Sequence, residues 1–263
     1  MTIPWWKLSS RQSSQSWFGE LYSKQGPKLK SPLDNISTPS IIQKEDIHPW
    51  PLRAQFSSRA SLSSSQPEDA FALHFFRASP GWQNIDEEIA NYLQTEGIPV
   101  VGVNSLRYFW SERSPSGTAA DLGHLIDVYT KLFGVQNVLL VGYSFGADVM
   151  PASFNRLTHE QRMQVKQISL LALSHQVDYV VSLRGWLQLE TEGKGGNPLN
   201  DLTSIDPTIV QCMYGRDDRN NACPSLRQTG AEVIGFSGGH HFDNDFNGLS
   251  KRIVSGLVTR LRH

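Results

Sequence analysis

From Ala70 to the end of the chain, short apolar runs alternate with amphipathic segments, and the two periods separate cleanly. "FALHFFRA" and "IPVVGVNS" are apolar runs of strand length. "IDEEIANYLQTEG" between them reads as a helix that Gly97 ends. In "TAADLGHLIDVYTKLFG" the residues Leu122, Leu125, Ile126, Tyr129, Leu132 and Phe133 share one helical face. Thr118, with Asp121 three positions on, is expected to cap that helix. There follow a strand "NVLLVG", a helix from Gly146 to about Leu157, strands "QISLLALS", "TIVQCMYG" and "AEVIGFSG", and a final helix "LSKRIVSGLVTRL". Strands made of near-continuous Val, Ile and Leu are those buried on both faces. The pattern predicts a three-layer α/β fold, a mostly parallel sheet with helices on both faces.

Residues 1–46 show neither period. They are rich in Ser, Pro, Gln and Lys, which predicts a disordered arm, leaving 47–263 as one folded domain. The aromatic residues of the arm, Trp5, Trp6, Trp17 and Phe18, suit contact with a membrane face, although unstructured sticky residues are the plainer reading. "HPWPLRAQF" fits an edge strand, where its prolines are tolerated, and a Ser-rich loop follows.

A formal net charge of −1 removes any whole-chain argument for binding nucleic acid. The apolar runs fall far short of the roughly 20 residues of a membrane span, so a soluble protein is expected. The N-terminus lacks the apolar core of a secretory signal. Two cysteines, Cys212 and Cys223, are too few for a disulfide framework and lack the spacing of a zinc site; they either pair or sit as small buried residues. No cofactor is called for.

The chemistry concentrates at Gly142-Tyr143-Ser144-Phe145-Gly146, on a strand-to-helix turn. That is the setting of a nucleophile elbow, where glycines two positions either side of a serine allow backbone and neighbouring strands to approach. A serine hydroxyl needs a base to take its proton and an acid to hold the base, in the chain order Ser, Asp or Glu, His. "CMYGRDD" offers Asp218, deeper in its loop, with Asp217 as the alternative. "GGHHFDND" offers His240, with His241 as the alternative. Asp243 and Asp245 beside these histidines match no metal-ligand spacing, so no metal is expected. An oxyanion hole requires two backbone amides, one from Phe145 and one from the loop "RASPGW", where Ser79 is the expected donor because Pro80 has no N–H.

Several ordered segments resemble the VirJ/AcvB family of bacterial virulence proteins: "GIPVVGVNSLRYFW", "TAADL", "VLLVGYSFGADVMPASFNRL", "GWL", "CMYGRDD" and "GGHHFDNDF", spanning about residues 70–250. The resemblance implies an α/β-hydrolase fold and hydrolysis of aminoacylated phosphatidylglycerol, such as the lysyl ester. It also implies a periplasmic location, peripheral membrane contact and partners in secretion machinery. The missing export signal makes a cytoplasmic variant the alternative. Arg107 is then expected to meet a phosphate, with Tyr108, Trp110 and Tyr143 lining the substrate pocket, unless "RYFW" is simply core. Family members carry "SGDGGW" where this chain reads "RASPGW", and commonly an aspartate in place of Asn104. The alternative to an enzyme is a binding module that keeps the hydrolase fold without turnover.

Overall fold

The computed structural model describes residues 47–49, 67–76, 83–179 and 195–262, all within the unit Thr38–His263. Seven strands are described: β1 (Ile47–Pro49), β2 (Ala70–Phe76), β3 (Val100–Asn104), β4 (Asn137–Tyr143), β5 (Val165–Leu171), β6 (Val210–Gly215) and β7 (Glu232–Phe236). They form one sheet in the order β1-β3-β2-β4-β5-β6-β7. Only the β1 edge strand runs antiparallel; it pairs with β3, and the remaining neighbours are parallel. The predicted edge strand is therefore present but lies a few residues early, and the rest of "HPWPLRAQF" falls outside the described residues. The N-terminal arm also falls outside them.

The described α-helices are α1 (Gln83–Thr95), the short α2 (Ser105–Tyr108), α3 (Pro115–Phe133), α4 (Phe145–Asn155), α5 (His159–Gln164), α6 (Pro198–Leu202) and α7 (Phe246–Leu261). After β2 the chain steps outward to β3 and then returns to β4 on the other side of β2. The strand order thus reverses between β2 and β4, and in such sheets the crevice at the carboxyl ends beside this reversal is where ligands bind. Alternation along β4 sends Leu139, Val141 and Tyr143 to one face, where they join Ile89 and Leu93 of α1 and Ile253 and Leu257 of α7 in one buried cluster. α3 and α4 pack against each other and both contact β4. Burying side chains of this size stabilises by roughly 1.5–3 kcal/mol each, so the two-sided burial of β4 is what makes its apolar run obligatory.

Two expectations about α3 change. The helix begins a turn earlier than predicted: Ser114 is the cap, its side chain accepting from the Gly117 amide, with Pro115 opening the helix. Thr118 instead donates to the Ser114 carbonyl from inside the first turn, and Asp121 is occupied by Tyr108. Proline at the first helical position is favoured because its missing N–H has no partner to lose. Leu132, predicted on the buried face, is half exposed, while Phe133 beside it takes the contact with Phe71 and Tyr129. Among the described residues no helix is long and apolar enough to cross a membrane.

Candidate active site

β4 ends at Tyr143 and α4 starts at Phe145, leaving Ser144 alone on the turn. Its φ of 54° is rare for a non-glycine residue, and such strain persists only where surroundings enforce it. The enforcement is visible. The Ser144 amide donates to the Leu171 carbonyl at the end of β5 (2.8 Å), while its own carbonyl accepts from the Ala147 and Asp148 amides. A Cβ on Gly142 would sit 2.5 Å from the Gly146 carbonyl oxygen, and one on Gly146 would sit 2.5 Å from the Phe75 carbonyl oxygen. Both glycines are therefore required by close backbone approach, the second one against β2 across the strand-order reversal.

The carboxylate and imidazole arrive from the next two loops. Asp218 follows β6 and His240 follows β7, and the loops are joined by Arg216 N–H to the Phe236 carbonyl and Asp217 N–H to the Gly238 carbonyl (both 2.9 Å). Gly215 makes this approach feasible, because a Cβ there would lie 1.9 Å from the Gly239 carbonyl oxygen. His240 Nδ1 lies 3.0 Å from Asp218 Oδ2, and His240 Nε2 lies 2.9 Å from Ser144 Oγ. A ring nitrogen facing a carboxylate carries the proton, so Nδ1–H donates to Asp218 and Nε2 accepts from the serine hydroxyl. The second oxygen of Asp218 accepts from the Asn220 amide (3.0 Å). The hydrogen bond from His240 is the largest influence on Asp218 and, against a smaller opposing effect of burial, holds its carboxyl below the ordinary carboxylate range. The group is thus a carboxylate at neutral pH.

Of the two sequence alternatives, Asp217 is exposed and its amide rather than its side chain ties the loops together. His241 turns away from Ser144, with Nδ1 2.8 Å from the Tyr143 hydroxyl. Asp245 is accounted for as the cap of α7, accepting from the Gly248 amide. Asp243 fits its carboxylate against Gly238, where a Cβ would collide with it. Among the described residues no three potential metal ligands gather. The Phe145 amide opens α4, where the helix dipole favours developing negative charge. Ser79 lies outside the described residues, as do Gly81 and Trp82.

The expected substrate-binding residues divide. Tyr108 is buried, 1% exposed, and its hydroxyl donates to Asp121 Oδ2 at 2.6 Å. Its ring meets Phe109 edge-on beneath the Arg113 guanidinium. Burial, with the Asp121 hydrogen bond second, pushes the phenol pKa up. Tyr108 is therefore core and not a pocket wall, because the short α2 folds back onto α3. Tyr143 is likewise buried at 4% exposure and its hydroxyl is directed at the histidine loop. Trp110 is 75% exposed. The Arg107 side chain lies outside the described residues.

Two supports surround the site, one left open by the sequence and one unforeseen in it. Cys212 and Cys223 form a disulfide, one of the two alternatives left open, and it closes the loop that carries Asp218. Asp148, one turn into α4, accepts from the Ser174 amide at 2.8 Å. Ser174 pairs in turn with Asn221, whose side chain donates to the Asp218 carbonyl. Helix α4 and the Asp218 loop are thereby connected through the segment that follows β5. The only signal for Asp148 was its place four residues after Ser144, on the face that returns toward the sheet.

Chemically, a hydroxyl, an imidazole and a carboxylate held in series are the parts of acyl transfer. In overall fold the chain is similar to the Pyrococcus furiosus esterase Pf2001, at 14% identity over 76% of this chain and 85% of that one, with a TM-score of 0.51. Est1E from Butyrivibrio proteoclasticus aligns at 11% identity over 74% of this chain and 88% of that one, TM-score 0.49. XC6422 from Xanthomonas campestris, an α/β serine hydrolase without lid, aligns at 16% identity over 74% and 83%, TM-score 0.46. At 14% identity the likeness to Pf2001 speaks to fold alone, and the fold is that of the α/β-hydrolases. No curated protein matches the sequence. The family profile described as bacterial virulence protein (VirJ) matches residues 69–261, which takes in the elbow, both loops and nearly every described element. The chain belongs to the VirJ family of bacterial virulence proteins.

Proposed function

We propose that this protein is a serine ester hydrolase whose substrate is an aminoacylated phosphatidylglycerol or a closely related ester. The observation that carries the reading is the series Ser144 Oγ, His240 Nε2, His240 Nδ1, Asp218 Oδ2, with contacts of 2.9 and 3.0 Å. Ser144 attacks the acyl carbon while His240 Nε2 takes its proton, forming a tetrahedral intermediate whose oxyanion faces the Phe145 amide. The intermediate collapses as the imidazolium returns that proton to the departing glycerol oxygen. Water, deprotonated by the same imidazole, then releases the aminoacyl group from Ser144. Asp218 stays ionised throughout, holding the Nδ1–H tautomer and stabilising the imidazolium.

The substrate class rests on family resemblance. It agrees with an aromatic residue, Trp110, exposed just beyond the carboxyl end of β3, on the edge of the sheet where Ser144 stands. A periplasmic site of action and contact with a membrane surface belong to the same reading. The test incubates purified protein with lysyl-phosphatidylglycerol in mixed micelles and follows free lysine, beside a fluorophosphonate probe of Ser144. Lysine release and labelling, both lost in Ser144→Ala, support the reading. Rapid cleavage of short-chain esters with the lipid untouched removes the lipid substrate. A folded wild type that neither labels nor hydrolyses supports a binding module instead. Arg107→Ala is expected to raise KM for the lipid and spare a neutral ester, since only the lipid offers a phosphate to a guanidinium.

A further inference from the structure

The serine, histidine and aspartate account for proton transfer, but not for how the His240 loop is held in place. That loop is irregular. Phe242, Asp243 and Asn244 have consecutive φ values of 56°, 47° and 62°, and Gly238 has 79°. Left-handed backbone at non-glycine residues is costly and needs external contacts to persist. One such contact is the ring of Phe242, which is fully buried and meets Phe236 edge-on. The other comes from the residue beside the nucleophile. Alternation at the end of β4 sends the Tyr143 side chain to the face opposite the helix α4 side, under the base loop. Its ring centroid lies 5.5 Å from that of His240. Its hydroxyl lies 3.2 Å from the His240 carbonyl oxygen and 2.8 Å from His241 Nδ1.

A phenol has one proton to donate, and a carbonyl oxygen can only accept. Both contacts are hydrogen bonds together only when Tyr143 donates to the His240 carbonyl and accepts from an Nδ1–H of His241. We propose that Tyr143 is a positioning residue for the base: its hydroxyl, backed by the Nδ1–H of His241, ties the main chain of His240 to the strand that presents Ser144. Nucleophile and base are then fixed to one another through a single side chain adjacent to the serine. His241, which offers the same chemistry as His240 in the sequence, becomes the support of the base and not a second base.

The proposal rests on the esterase reading for its kinetic consequence, but not for its geometry. Tyr143→Phe keeps the ring and removes the hydroxyl. Hydrolysis of p-nitrophenyl acetate is measured for wild type, Tyr143→Phe, His241→Ala and the double variant, with active sites titrated by fluorophosphonate and Tm recorded. A misplacement approaching an ångström can cost up to about a hundredfold, so kcat per titrated site is expected to fall about tenfold in Tyr143→Phe. KM should stay unchanged and Tm should remain within about 4 °C of wild type. The double variant should be little worse than Tyr143→Phe, because both residues act through one hydrogen-bonded unit. A kcat per titrated site within about twofold of wild type in Tyr143→Phe, or effects that multiply in the double variant, overturns the proposal. If wild type hydrolyses no ester, the preceding functional reading fails and nitrogen NMR of labelled histidines decides the clamp. An Nδ1–H tautomer at His241, together with a His240 imidazole resonance displaced in Tyr143→Phe, supports it; an Nε2–H tautomer at His241 overturns it.

Discussion

Asp148 is a carboxylic acid buried on the inner side of α4, and replacing it with asparagine is expected to make the protein more stable at alkaline pH. Burial raises its pKa from the ordinary 3.8 to about 7, only partly countered by the hydrogen bonds from Ser174. Between those two values the folded state holds a proton that the unfolded chain has released. Stability therefore declines as pH rises through that window and levels off above about 7. At about 1.36 kcal/mol per pH unit the full decline is on the order of 4 kcal/mol, of which about 3 kcal/mol falls between pH 5 and pH 7. A carboxamide cannot ionise, yet its carbonyl oxygen can still accept from the Ser174 amide, so Asp148→Asn removes the decline while keeping the contact. Urea unfolding of both proteins at pH 5 and pH 8 isolates the effect, since every other titrating group cancels in the difference. The stability of Asp148→Asn relative to wild type should improve by about 3 kcal/mol from the lower to the higher pH. An unchanged difference at the two pH values would refute the reasoning, for it would mean that Asp148 ionises in the folded protein as freely as in the unfolded chain.

The acid assignment is checked by Asp218→Asn, expected to cost about 10⁴ in kcat by holding the imidazole in the wrong tautomer, against a small effect of Asp217→Asn; equal, mild losses in ester hydrolysis would contradict it. His240→Ala should abolish hydrolysis while His241→Ala retains it at a reduced level, measured in the same assay. Gly215→Ala forces a methyl group into the Gly239 carbonyl; the base loop must shift, so kcat should fall by about tenfold or more while the protein stays folded by circular dichroism. Replacing Cys212 and Cys223 with serine opens an 11-residue separation and should lower stability to urea by about 3 kcal/mol on loop-closure grounds.

Much of the architecture was legible because it follows from solvent exclusion along one dimension. A strand buried on both faces is apolar at most positions, and the few polar residues in these strands, such as Gln167, Ser169 and Gln211, are hydrogen-bonded to one another; β2, β3, β4, β5 and β6 were therefore recognisable within a few residues. The elbow was recognisable for a related reason: a turn between such a strand and a helix leaves room only for glycine at positions 142 and 146, and the structure shows the carbonyls of Gly146 and Phe75 that enforce this. The cap of α3 was misplaced because Ser114 and Thr118 are both competent oxygens one turn apart, and local chemistry does not say which turn meets the core. Short α5 and α6 carry too few residues to show a period, and went unseen.

The pairs Asp217/Asp218 and His240/His241 are chemically identical neighbours, so position in the loop could favour Asp218 and His240 but not decide between them; what separates them is which side chain the loop geometry sends toward Ser144. That geometry depends on Gly215 touching Gly239 and on a left-handed turn at 242–244, contacts between loops far apart in the chain. Tyr108 and Tyr143 read as pocket residues because an aromatic ring near a motif serves core and ligand equally well. Only packing revealed that Asp121 and the histidine loop already take their hydroxyls. The amino acids alone determined the layers, the turn and the kinds of side chain available at the candidate site, since these depend on local sterics and burial. The choice among equivalent groups, and the buried acid at Asp148, were decided by tertiary structure, because hydrogen-bond partnership and desolvation exist only once distant segments meet.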